Sequence, residues 1–183
     1  MLDWDRALFV SINGLAGRSG LADWAMLMLA QPSSLWLPGA LVLAYWIWVD
    51  RREALIGAVA LTAFIVVVDQ VGAQLKQLVG RVRPCQTFAD MHLLVGCGGT
   101  GSFPSNHALN TAAAAAFAQA LYPKTGWITW PLVALIGVSR MYVGAHYATD
   151  VLGGWLIGWL LGAGAAWLLL RWPVFRLSNV PAP

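Results

Sequence analysis

VLGGWLIGWLLGAGAAWLLL, residues 151–170, runs for twenty positions without a charge. A bilayer hydrocarbon core of about 30 Å is crossed by roughly 20 apolar residues in helical form, so this stretch alone predicts a transmembrane helix. Three more stretches read the same way, at about 34–49, 54–75 and 127–143. A shorter alanine-rich segment at about 105–121, bounded by polar loops, reads as a fifth span. Residues 1–31 fit less simply. Positions 2–15 look like an amphipathic helix lying in the membrane interface, and 21–30 is too short to cross before Pro32. The expected fold is all-α: a polytopic transmembrane helix bundle of five full spans, or six if the N-terminal part tilts across, plus N-terminal interfacial helices.

Composition agrees. Of 183 residues, 59% are hydrophobic and 10% charged, against about 25% charged in an ordinary soluble domain. Most of the surface is therefore not built to face water. No composition shift marks a second domain, so residues 1–183 read as one. A net charge of +3 is too small to point to nucleic acid. The start carries Asp3, Asp5 and Arg6 rather than a basic stretch and an apolar run, so no cleavable signal is read and the spans themselves must direct insertion.

Short-loop charges orient the bundle. Arg51, Arg52, Lys124, Arg171 and Arg176 fall on one side, which should be cytoplasmic. Lys76, Arg81 and Arg83 break the bias by falling on the other, and His92, His107 and His146 lie at or near that outer side too. Cys85 and Cys97 share one outer loop. In an oxidising compartment they would pair, contributing on the order of 3 kcal/mol; the alternative is two free thiols. Metal binding fits poorly, because only His92 stands near them as a further ligand. Trp46, Trp48, Trp127, Trp130 and Trp172 lie near span ends, where indoles favour the headgroup region. Gly154, Gly158 and Gly162 recur every four residues on the last span, a smooth face for close packing, within the chain in preference to a dimer.

Three clusters flank the outer face. The first is Lys76 followed by Arg83-Pro84, the second Pro104-Ser105-Asn106-His107, the third Ser139-Arg140, His146 and Asp150. Taken singly, each has a plain structural role. Basic residues at a span end snorkel, serine caps a helix, and a histidine four residues from an aspartate can be structural. Together they converge on one side of the membrane. Cations and a helix start suit a phosphoryl group. An imidazole oriented by a carboxylate suits a nucleophile, the pair sharing one helix face if the helix already runs there.

In this order and spacing the clusters resemble the type-2 phosphatidic acid phosphatase superfamily, which also holds the vanadium haloperoxidases. Its signature is Lys-x6-Arg-Pro, Pro-Ser-Gly-His and Ser-Arg-x5-His-x3-Asp, matched here across 76–150 except that Asn106 stands where glycine is usual. Asparagine tolerates unusual backbone angles, and its amide could contact phosphate. The resemblance implies metal-independent hydrolysis of a lipid phosphate or diphosphate, with no cofactor. His146 would attack phosphorus to give a phosphohistidine, Asp150 would orient it, and His107 would protonate the leaving oxygen. Lys76, Arg83, Arg140, Ser105 and Asn106 would bind the phosphate. Asp69, on a helix face similar to that of Lys76, reads as a structural partner to a basic residue.

A polyprenyl diphosphate such as undecaprenyl diphosphate is the first substrate expected from a bacterial source, with the site on the outer face of the inner membrane. Phosphatidylglycerophosphate, phosphatidate, the 1-phosphate of lipid A, and transfer to a second lipid are the enzymatic alternatives. A transporter that merely binds a phosphate headgroup is the contrasting class. The paired histidines imply a bell-shaped pH profile within about pH 5–9, since an unperturbed histidine titrates near 6.5.

Overall fold

The computed structural model describes residues 2–99 and 101–171. Among them the regular structure is helical, with no strand. Eight helices follow in order: α1 (Asp3–Asn13), α2 (Gly20–Ala30), α3 (Trp36–Val49), α4 (Arg51–Val79), the single turn α5 (Pro84–Thr87), α6 (Asn106–Leu121), α7 (Gly126–Tyr142) and α8 (Ala148–Leu170). Trp172 and Arg176 lie outside the described residues.

Local chemistry sets the boundaries. Asp50 caps α4 by accepting the Glu53 N–H at 2.9 Å, and Gly80 ends it in the left-handed region at φ +59°, a conformation glycine adopts without a Cβ clash. Helix α4 thus runs 29 residues and carries Lys76 in its last turn, past the apolar stretch read from sequence. Both α4 and α8 are long and apolar enough to cross a bilayer alone. Helices α3, α6 and α7 have 14, 16 and 17 residues, shorter than the usual spanning length.

The most extensive packing joins α6 to α8. A Cβ on Gly154, Gly158 or Gly162 would stand 2.8, 2.2 and 2.3 Å from the carbonyl oxygens of Ser105, Leu109 and Ala113. The glycine stripe is therefore an intrachain contact in which backbone meets backbone. Opposite it, α6 offers Ala108, Ala112, Ala113 and Ala116, all buried. Large apolar side chains instead populate the outside, with Trp36, Leu41 and Trp48 on α3 and Trp127 on α7 exposed.

The N-terminal helices dock against the bundle. Helix α1 turns Asp5, Phe9 and Asn13 inward and leaves Trp4, Leu8 and Val10 exposed. Phe9 packs against Phe88 and Tyr147. The Asn13 amide donates to the carbonyls of His92 and Tyr142 at 2.7 and 2.8 Å. Cys85 and Cys97 form a disulfide, their Cα atoms 5.9 Å apart.

Candidate active site

Four segments meet at one end of the bundle: the C-terminal ends of α4 and α7 and the starts of α6 and α8, with the loops that join them. Backbone bonds set the arrangement. Ser102 N–H donates to the Arg81 carbonyl at 2.7 Å, and Ser105 N–H to the Asp150 carbonyl at 3.0 Å. Ala145 and His146 N–H both donate to the Arg140 carbonyl, at 3.0 and 3.2 Å. Gly101, at φ +80°, runs so close to α4 that a Cβ would meet the Lys76 carbonyl at 2.9 Å. Lys76 Nζ donates to the Pro104 carbonyl.

His146 is 3% exposed. Its Nε2 lies 3.5 Å from Arg83 Nη1 and its Nδ1 lies 3.6 Å from Asp150 Oδ2. The four-residue spacing works differently from the shared helix face expected. Helix α8 begins only at Ala148, so His146 sits in the preceding loop, and Asp150 reaches back from the first turn to accept the Tyr147 N–H at 2.9 Å. Asp150 is fully buried and accepts Ser102 Oγ at 2.5 Å and Arg81 Nη1 at 2.6 Å. Burial lowers the His146 pKa to about 4; the Asp150 carboxylate pulls the other way, and Lys76 and Arg83 add to the lowering. At neutral pH the ring is uncharged and keeps a lone pair.

Lys76 and Arg83 lie within electrostatic range of this ring. Arg83 donates from Nε to the Gly99 carbonyl at 3.0 Å and from Nη1 to the Ala145 carbonyl at 3.3 Å. Burial lowers its pKa, and Asp150 opposes that. Arg140 Nη1 donates to the Ala30 carbonyl at 2.7 Å, at the end of α2, while its Nε is buried without a partner. Lys76 lies within electrostatic range of Arg83, Arg140 and Asp150, and His107 within range of Arg140, His146 and Lys76. Ser105 holds the N-cap position of α6, yet its hydroxyl makes no capping bond. Ser105 Oγ and His107 Nε2 are buried and unpartnered too. Orphaned buried groups cost about 1–3 kcal/mol each, so unpaired donors beside three cations fit an anion.

Asn106 lies elsewhere than expected. As the first residue of α6 it needs no unusual backbone, and its amide donates to Asp69 Oδ1 at 2.9 Å rather than turning to the cations. Asn110 donates to the same oxygen at 2.9 Å. Asp69 is thus partnered by two amides and not by a basic residue. Gly72 makes room, since a Cβ there would stand 2.7 Å from Asn106 Oδ1. A cavity of about 250 Å³ between α2, α4, α6 and α7 is lined by Leu29, Asp69, Asn106, His107, Asn110, Thr111 and Ile136. His92 stays outside the cluster, its ring against Gly17.

Sequence reasoning missed Ser102, Thr149, Asp5 and the structural use of Arg81. Arg81 gave a signal, as a cation on the wrong side of the charge bias. The others gave none. Among the described residues no group of three His, Cys, Asp or Glu side chains stands together as a metal site would require.

The chain is similar to known proteins along most of its length. The chain is 28% identical over 172 residues to the bacitracin transport permease protein BcrC of Bacillus licheniformis, covering 94% of this chain and 81% of that protein. It is 27% identical over 161 residues to the undecaprenyl-diphosphatase BcrC of Bacillus subtilis, covering 85% and 79%. A crystal structure of a transmembrane PAP2-type phosphatidylglycerolphosphate phosphatase from Bacillus subtilis shares the fold, with a TM-score of 0.70 at 24% identity, covering 96% of this chain and 90% of that one. The PAP2 superfamily model matches residues 51–174, which contain all three clusters, and the chain belongs to that superfamily.

Proposed function

We propose that the chain is a membrane-embedded lipid phosphatase that works through a phosphohistidine on His146, with undecaprenyl diphosphate as substrate. One observation carries the mechanism: a buried imidazole presents Nε2 toward a guanidinium and Nδ1 toward a carboxylate, and its burial favours the neutral form. Arg83, Lys76 and Arg140 hold the phosphoryl oxygens, with the Ser105 hydroxyl. Nε2 attacks phosphorus, the bond to the leaving oxygen breaks, and His107 supplies that oxygen with a proton. Water then attacks the phosphohistidine with His107 as base, releasing phosphate and the free ring. Cations placed where charge spreads over the equatorial oxygens are the dominant stabilisation expected for phosphoryl transfer. Asp150 favours the tautomer with its proton on Nδ1 and supports the charge the ring gains.

The substrate class follows from the surface. Spanning helices α4 and α8 and an exposed apolar shell suit a substrate that arrives laterally within the bilayer. Five helices, α3, α4, α6, α7 and α8, cross in this reading, the shorter ones by local thinning of the bilayer. The site opens on the outer face of the inner membrane. The B. subtilis relative named an undecaprenyl-diphosphatase supports the particular lipid, and the relative named a transport permease keeps the binding-only alternative worth an assay.

The test is phosphate release from a panel of lipids by purified protein in detergent with chelator present. Undecaprenyl diphosphate should release phosphate, and His146→Ala, still folded, should lose at least about a thousandfold. Release only from phosphatidylglycerophosphate, phosphatidate or lipid A reassigns the substrate. Binding without release from any of them rejects hydrolysis.

A further inference from the structure

The family match begins at residue 51, yet a carboxylate at residue 5 is tied into the site. Asp5 is 1% exposed on α1. Its Oδ2 accepts Arg81 Nη2 at 2.6 Å and the Thr149 hydroxyl at 2.7 Å, and its Oδ1 accepts the Thr149 N–H at 2.9 Å. Arg81 reaches onward through Nη1 to Thr149 Oγ1 at 2.5 Å and to Asp150 Oδ1 at 2.6 Å, its guanidinium 4.4 Å from the centre of the Tyr147 ring. The chain Asp5–Arg81–Asp150 ends 3.6 Å from His146 Nδ1.

Anchoring α1 does not require this arrangement. Phe9 already packs on Phe88 and Tyr147, and buried ion pairs are a poor source of stability, because apolar replacements often do as well. We infer that Asp5 is a positioning residue of the active site: with Arg81 and Thr149 it fixes the first turn of α8 and leaves the triplet Asp5–Arg81–Asp150 net negative beside His146.

The charge count gives the reason. Arg81 with Asp150 alone would be neutral and would act weakly on the ring. A second carboxylate restores one negative charge, and at close range in a dry site such a charge acts strongly. Attack by Nε2 turns the ring cationic, with its proton kept on Nδ1 toward Asp150. The other charged or titratable groups around His146 are Lys76 from α4, Arg83 from the following loop, His107 from α6 and Arg140 from α7. None of them supplies negative charge, so the triplet does. Thr149 and Asp5 also pin the helix start that carries Asp150, and so set the distance to the ring.

This inference rests on the phosphohistidine reading, and the wild-type control separates the two. The experiment compares full-length wild type with Asp5→Asn, an isosteric change, by steady-state kinetics, rapid-quench trapping of ³²P on the protein, and the acid limb of kcat/KM. For Asp5→Asn, kcat and the rate of labelling should fall between about tenfold and a hundredfold, with KM within about threefold. The acid limb should stay put or move to lower pH, because removing negative charge favours the neutral ring. Wild-type kcat in the variant overturns the inference. So does an acid limb rising toward the ordinary histidine value near 6.5 together with a lower melting temperature, since that means α1 has let go and water has entered. If Asp5→Asn does not fold, Arg81→Lys takes its place: one ammonium cannot bridge both carboxylates, so the same kcat loss is expected and unchanged kcat overturns. A wild type that releases phosphate but never carries label refutes the covalent mechanism itself.

Discussion

Helices α3 and α8 are both strongly apolar and stand in opposite places. Helix α3, WLPGALVLAYWIWV, turns Trp36, Leu41 and Trp48 outward. Helix α8 buries Gly154, Gly158, Gly162 and Ala166 against α6 and begins in the polar cluster around Asp150. Among lipid tails, apolar side chains gain nothing by leaving their surroundings, and helices associate where small residues bring backbones together and polar atoms are paired. Hydrophobicity therefore marks the outside of this bundle, while glycine, alanine and hydrogen bonds mark its core.

Glycine substitution should break that contrast most severely. Gly158→Leu adds a Cβ 2.2 Å from the Leu109 carbonyl, a backbone atom that cannot swing away, whereas Gly39 on α3 has nothing within 4 Å. Forcing α6 and α8 apart should cost more than about 3 kcal/mol and abolish monodisperse protein in detergent. Gly39→Ala should leave the melting temperature unchanged or slightly raised, as expected for an exposed helical glycine. Equal outcomes for the two would mean that α6 and α8 do not meet as described.

The polar end of α8 can be tested by pH. With the His146 pKa lowered to about 4, the ring proposed as nucleophile is neutral through the mildly acidic range, so kcat/KM should hold on the acid side and fall as pH drops through about 4. The sequence alone places that limb near 6.5; burial moves it. The sign for stability is the same. The unfolded ring binds a proton below about 6.5 and the folded ring does not, so stability is lost as pH falls from there toward 4. A limb near 6.5 would mean that water reaches the ring and that this end of α8 is as wet as an ordinary surface.

How legible all this was in the sequence depended on range. The apolar runs disclosed a helical bundle, because twenty residues without a charge are hard to place anywhere but in a bilayer. The three clusters disclosed which side chains gather at one end of the bundle, because Lys76, Arg83, Arg140, His107 and His146 are separated by spacings that can be checked by eye. What stayed hidden was long-range pairing. Nothing local ties Asp5 to Thr149 across 144 positions, or Arg140 to the Ala30 carbonyl across 110. The His146–Asp150 spacing does bring the two side chains together, but not along one helix face, since a helix that starts between the two residues leaves no sign in the count. Asn106 points to phosphate by its position in the motif, and the amide's actual acceptor, Asp69, sits 37 residues earlier on another helix.

The smallest effect belongs to α3 and is the sharpest check on the contrast. Leu41 is 64% exposed. In a water-soluble protein that would mark it as dispensable or as a docking patch; in a bilayer it is a residue already in its preferred solvent. Leu41→Ala removes methyl groups from contact with lipid and opens no cavity, so the melting temperature in detergent should move by no more than about 0.5 kcal/mol of stability permits, with kcat unchanged. The loss should appear in insertion, where leucine contributes only about −0.5 kcal/mol at a helix centre and the rest of α3 compensates. A destabilisation above about 2 kcal/mol is the size expected when a buried leucine is truncated. It would mean that another surface covers Leu41, and that α3, like α8, is held by contacts between proteins and not by lipid.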